Sequence, residues 1–204
     1  MPDPKRTLVF AFGFLVIYGL LITPWPGLKP FYARYFQALG RAVFGDNGSR
    51  RTLEFQPLDN HGHVWPPNFD TAIIMGNRDW RDATGQSHRY LLTVDAWQMG
   101  WTPTAFLTAL TLATPLPWRR RLGALFRGSW LIHGFILLTL GIFLWNESTR
   151  LGLVMLSPFW KGVANQLEQL ALNPVGPSFF VATLIWVLVT FRRRDLRPRE
   201  DPDF

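Results

Sequence analysis

The residues best able to hold a metal ion stand together in Asp59-Asn60-His61-Gly62-His63, with Asp70 and His88 further along the same stretch. Two imidazoles one residue apart chelate when both point the same way, as they do along a strand, so His61 and His63 are the candidate metal ligands. Gly62 and the nearby prolines suit a solvated loop equally well. A second candidate is His133, which lies inside a long uncharged apolar stretch. An ionisable group there is costly and commonly functional. It could ligate haem or chlorophyll, or hydrogen-bond a threonine of a neighbouring helix or lipid headgroups, and no second histidine lies in an apolar stretch to complete a bis-imidazole site. The third candidate is the run Gly76-Asn77-Arg78-Asp79-Trp80-Arg81-Asp82. Arg78, Trp80 and Arg81 are of the types that dominate contact energies between proteins, although the run also reads as a polar turn of neighbouring opposite charges. The chain has no cysteine, which excludes disulfides, thiolate zinc sites, iron–sulfur clusters and a cysteine nucleophile. No glycine-rich phosphate loop and no nucleophile elbow is present, so no catalytic constellation emerges.

These groups must be positioned by a chain of 204 residues that is 48% hydrophobic and 17% charged, with the charge strongly segregated. Thr7 to Gly27, Ala96 to Trp118, Gly128 to Asn146 and Gln169 to Phe191 contain no Asp, Glu, Lys or Arg. At about 20 residues, each stretch is long enough to cross a bilayer. The net charge of +7 would suit nucleic acid if it were clustered on one face. Instead Lys5 and Arg6, then Arg119, Arg120, Arg121 and Arg127, then Arg192, Arg193, Arg194, Arg197 and Arg199 flank the apolar stretches. All fall on one side if each stretch crosses once, which reads as cytoplasmic orientation, and nucleic acid is not expected as a partner. Leu21-Ile22-Thr23-Pro24-Trp25-Pro26 lacks a small-x-small cleavage site, so the first stretch is expected to stay as an anchor.

The expected fold is a mainly α membrane protein with four transmembrane helices, over 7–23, 99–118, 129–145 and 178–191. A cytoplasmic N-terminus over 1–6, a basic loop over 119–128 and a basic tail over 192–204 lie inside. Outside, 24–98 and 146–177 form a small α+β, β-rich module with two interfacial amphipathic helices. The first, over 31–44, places Tyr32, Tyr35, Phe36, Leu39 and Val43 on one face and Arg34, Gln37 and Arg41 opposite. The second begins at Ser157-Pro158. Between them, over 45–98, Leu53 and Phe55 alternate with Glu54 and Gln56, and Tyr90, Leu92 and Val94 alternate into the second span. The stripes Thr104, Thr108, Thr111 and Ala105, Ala109, Ala113 let helices approach closely, which puts that span at the centre of the bundle.

The run Ala109-Leu110-Thr111-Leu112-Ala113-Thr114-Pro115, followed by Trp118-Arg119-Arg120-Arg121 and a further apolar span, resembles small membrane proteins associated with exosortase systems. Those proteins are similar in plan, with an anchor helix, an extracytoplasmic segment and a cluster of hydrophobic helices. Exosortases themselves are transpeptidase-like membrane enzymes that use Cys, Arg and His. For a chain without cysteine the resemblance implies an accessory rather than the catalyst, and it carries no functional residue across. The expectation is a non-catalytic protein of the bacterial inner membrane with both termini cytoplasmic. It would contact the lipid bilayer, bind another membrane protein of an envelope-sorting system through Arg78, Trp80 and Arg81, and need no cofactor. The alternative is a structural or cofactor-holding subunit of a respiratory or photosynthetic membrane complex, with haem or chlorophyll on His133.

Overall fold

The computed structural model describes residues 4–45, 51–58, 68–81, 87–153 and 176–191, with positions 157, 159, 160, 162 and 166. Helix α1 (Pro4–Ile22) stops where Pro24 and Pro26 remove backbone donors, and Thr23 closes it by donating both its N–H and its hydroxyl to the Gly19 carbonyl. A turn through Gly27, at φ 86°, leads into α2 (Leu28–Phe44). Strands β1 (Arg51–Pro57), β2 (Thr71–Arg81) and β3 (Ser87–Val94) form one antiparallel sheet in that order. Register aligns Leu53, Met75 and Tyr90, and likewise Phe55, Ile73 and Leu92, on one face, with Glu54, Ile74 and Leu91 on the other. Phe55 and Ile73 are buried while Leu91 is half exposed, so the period-two pattern has one face in the core.

From β3 the chain enters a single π-helical turn (Trp97–Trp101) continuous with α3 (Thr102–Ala113). Pro103 accounts for the turn, because it has no N–H to return to the preceding turn. Thr102 meets the wider spacing by donating its N–H and its hydroxyl to the Trp97 carbonyl. Pro115 and Pro117 stop α3, and α4 (Trp118–Arg150) follows for 33 residues. It ends in a Schellman motif in which Gly152 takes φ 72°, Gly152 N–H bonds the Thr149 carbonyl and Leu153 N–H bonds the Ser148 carbonyl. Helix α5 (Gly176–Thr190) completes the described chain.

Helix α3 lies among α1, α4 and α5. Ala105 and Ala109 are fully buried, and Thr104 and Thr111 turn their hydroxyls onto the carbonyls of Gly100 and Leu107 in their own helix. Its surface is therefore small and apolar, and Gly13 of α1 approaches Ala113 to van der Waals contact. Helix α2 packs on β1 through Phe36 and Gly40, while its Phe44 ring stands over Gly141 of α4. One core runs from Phe55, Ile73 and Met75 through Tyr32 and Phe36 to Ile132, Ile136 and Leu140 of α4 and Ile185 and Val189 of α5.

The expectation of four transmembrane helices is overturned. Of the five helices given above, among the described residues α1 and α4 are long and apolar enough to cross a membrane, whereas α3 has 12 residues and α5 has 15. At 1.5 Å per residue these reach roughly 18 and 22 Å, short of a hydrocarbon core of about 30 Å. Proline stops α3 at Pro115. The basic segment 119–127 is not a loop but the opening turns of α4. Arginine is a good helix former and no proline interrupts Trp118 to Arg150. On α2, Gln37, expected outward, is 3% exposed, and its amide donates to Thr71 Oγ1 at 3.3 Å. Most of the second amphipathic helix lies outside the described residues. Gly76 to Arg81, which reads as a polar turn in the sequence, continues β2 past a β-bulge.

A Cβ on Gly40 would stand 2.7 Å from the Phe55 ring. Gly40→Ala is expected to destabilise the protein by about 1–3 kcal/mol through overpacking, read as a lower melting temperature in detergent. Adding Phe55→Leu should restore part of the loss, and an unchanged melt of the single variant would refute the packing of α2 on β1.

Candidate functional site

Ser129 and His133, four residues apart on α4, share one helix face. His133 Nδ1 lies 2.7 Å from the Ser129 carbonyl oxygen, with Ser129 Oγ at 3.5 Å. A carbonyl can only accept, so Nδ1 carries the proton and donates it, which leaves Nε2 its lone pair in the neutral ring. Tyr35 of α2 meets the imidazole edge-on with ring centroids 5.8 Å apart. Tyr35, Leu39, Ser129, Trp130, His133, Gly134 and Leu137 line an open groove of about 320 Å³ between α2 and α4. Burial raises the Tyr35 pKa, so its phenol stays protonated and can donate. The groove thus offers an imidazole acceptor and a phenol donor on an otherwise apolar wall.

His133 therefore bonds its own helix and faces α2, not a threonine of the α3 stripe. His61 and His63 lie outside the described residues. Among the described residues no group of three or more His, Asp or Glu side chains comes together to hold a metal ion. Arg78, Trp80 and Arg81 occupy the final residues of β2, where Arg81 pairs with Ser87 of β3.

A polar joint that residue types alone did not reveal ties the sheet to the bundle. Asp70 Oδ1 accepts the Ala96 N–H and the Thr71 hydroxyl, each at 3.0 Å, and Thr71 Oγ1 accepts from Gln37 of α2. Lys29 Nζ donates to the Asn68 carbonyl at 3.2 Å, and Asp95 Oδ1 accepts the Gln98 N–H at the entry to the π-helical turn. Above them the Tyr32 ring meets Trp97 and Trp101 edge-on, and its hydroxyl is so close to Gly100 that a Cβ there would collide with it. Burial pushes the Tyr32 pKa up, and the charges of Tyr35 and Asp70 add to it. Asp70 Oδ2 is buried without a hydrogen-bond partner among the described residues. Burial likewise raises the Asp70 pKa, with Asp95 reinforcing the shift and the Ala96 N–H, the Thr71 hydroxyl and Lys29 opposing it. The one sequence cue was Asp70-Thr71 directly before an apolar run. Its partner, Ala96, is 26 residues away and invisible to local patterning.

Compared with models of protein families, with curated proteins and with solved structures, the chain matches none.

Because the folded Asp70 carboxyl titrates above the free value of 3.8, the native state takes up its proton at higher pH than the unfolded chain. Stability from this group is therefore fullest below about pH 3.8 and is lost as pH rises through the raised folded value. Asp70→Asn, which keeps the Oδ1 acceptor, is expected to remove that slope and to melt no lower than the parent at neutral pH. Melting curves across the window check this, and a variant that melts well below the parent at pH 7 contradicts it.

Proposed function

We propose that the protein is a membrane-integrated accessory that holds a small sheet module on an uninterrupted helix and uses that module to bind another membrane protein. The observation that carries this reading is α4. Its 33 residues extend roughly 50 Å, well beyond the about 30 Å of a hydrocarbon core. Near its start, Gly128 packs on Leu107 of α3 and Val189 of α5. Near its end, Leu144 and Ser148 face Leu53 and Met75 of the sheet across a cavity of about 250 Å³. A rigid shaft of this kind fixes the height and orientation of whatever the sheet presents.

Membrane integration also accounts for the surface. No residue of α1 is buried, and Leu8, Val9 and Phe12 are each about 70% exposed. Phe126 and Trp130 of α4 and Phe180 and Leu188 of α5 are as open. Apolar surface on this scale is rare on a water-soluble monomer, whereas lipid chains solvate it without penalty. Lys5 and Arg6 at the start of α1 and Arg119 to Arg121 at the start of α4 support that shared end as the cytoplasmic one, in a bacterial inner membrane. The resemblance to small exosortase-associated membrane proteins supports a partner in envelope protein sorting. Arg78, Trp80 and Arg81, at the end of β2, are the first positions to test.

Alkaline carbonate should leave the protein in the membrane pellet, and mild-detergent affinity purification should recover a partner identifiable by mass spectrometry. Arg78→Ala with Trp80→Ala should lower that recovery by about tenfold without changing pellet association. Equal recovery removes the patch as the contact, and release by carbonate refutes membrane integration.

A further inference from the structure

Four helices converge on one residue at the opposite end of the bundle from the sheet. Thr114 ends α3 in an extended conformation, at ψ 131°. Its hydroxyl donates to the Leu110 carbonyl and accepts the Trp186 indole N–H of α5 at 2.9 Å, while its carbonyl accepts from an Arg121 terminal nitrogen of α4 at 3.1 Å. Trp186 in turn stacks on Phe10 of α1. The Arg121 guanidinium is also held over the Trp118 ring, 5.7 Å from its centroid. This arginine is thus ordered by the fold before any ligand arrives, which lowers the entropy lost on binding.

Arg119 and Arg120 precede it on α4, Arg127 follows roughly 9 Å further along the helix, and α1 opens with Lys5 and Arg6 at the same end. The described carboxylates lie elsewhere: Glu54 and Asp70 on or beside the strands, Asp95 at the entry to the π-helical turn, and Glu147 roughly 39 Å along α4 from Arg121. The adjoining surface is apolar, with Trp118 61%, Phe126 68% and Trp130 71% exposed along α4. A ligand that complements both parts carries negative charge at the arginines and long apolar chains beside the helix faces. A soluble anion or an acidic protein segment supplies only the first.

We propose that the basic start of α4, with Arg121 held over Trp118 and Arg119 and Arg127 at exposed positions, binds the headgroup phosphate of an anionic phospholipid whose acyl chains lie along the exposed face of α4. A guanidinium is always charged and donates to phosphate oxygens, and the indole suits the headgroup boundary. This site rests on the membrane-integrated reading and adds a lipid class to it.

Delipidated protein in detergent, titrated separately with phosphatidylglycerol and phosphatidylcholine, provides the test through native mass spectrometry of bound lipid. Phosphatidylglycerol should be retained and phosphatidylcholine retained about fivefold less or weaker. Arg121→Gln should lower phosphatidylglycerol retention by about fivefold, and Arg121→Lys should restore only part of it. Since Arg121 also braces Thr114, the pair Arg119→Gln and Arg127→Gln, at exposed positions, should lower retention with the melting temperature unchanged. Arg34→Gln, on the exposed side of α2, should leave retention intact. Equal retention of both lipids, equal loss in Arg34→Gln, or displacement of the lipid by excess inorganic phosphate would overturn the proposal. Each of those outcomes is independent of whether carbonate releases the protein from membranes.

Discussion

A helix continues only while each residue can return an N–H to the preceding turn, and the positions where proline withholds that donor set this architecture. Pro24 and Pro26 end α1 and turn the chain into α2; Pro103 widens the entry to α3 into a π-helical turn; Pro115 and Pro117 stop α3 and restart the chain as α4. Between Trp118 and Arg150 there is no proline, and the chain responds with one helix of 33 residues. The sheet is joined to the bundle where β3 runs directly into the π-helical turn and where α2 packs on β1, and Leu144 and Ser148 near the end of α4 line a cavity against it.

The two ends of α3 are each secured by a polar joint within apolar surroundings. At the sheet end, Asp70 bridges β2 to the backbone at Ala96, and Gln37 brings α2 into the same network through Thr71. At the other end, Thr114 gathers α4 and α5 through Arg121 and Trp186. Hydrogen bonds in low-dielectric surroundings are directional and costly to leave unmade, so they fix register where apolar contact alone would permit sliding. The raised pKa of Asp70 reflects the cost of keeping a carboxylate at such a joint.

Local periodicity in the sequence carries part of this arrangement. The alternation at Leu53 and Phe55 and at Tyr90, Leu92 and Val94 is visible without coordinates, and these side chains occupy one face of the sheet. The charge-free runs of α1 and of the middle of α4 are equally plain. What charge patterning misjudged was continuity: Arg119 to Arg127 reads as a connecting loop because it is basic, yet charge does not break a helix and proline does. The same counting credited α3 with more length than Pro115 and Pro117 allow. Gln37 reads as outward in the sequence because polarity alone cannot reveal a buried partner 34 residues away. The Asp70 joint and the Tyr35–His133 groove escaped for the same reason, since both are made by residues from separate elements.

The continuity of α4 is the claim on which the account most depends. The chain contains no cysteine, so Leu122→Cys and Arg150→Cys would place two unique spin labels at exposed positions on that helix. Pulsed electron resonance on the reconstituted protein should give one narrow distance distribution, with backbone positions about 42 Å apart as 1.5 Å per residue requires. A broad or markedly shorter distribution would mean that α4 is broken between the bundle and the sheet, and that the module is not held rigidly.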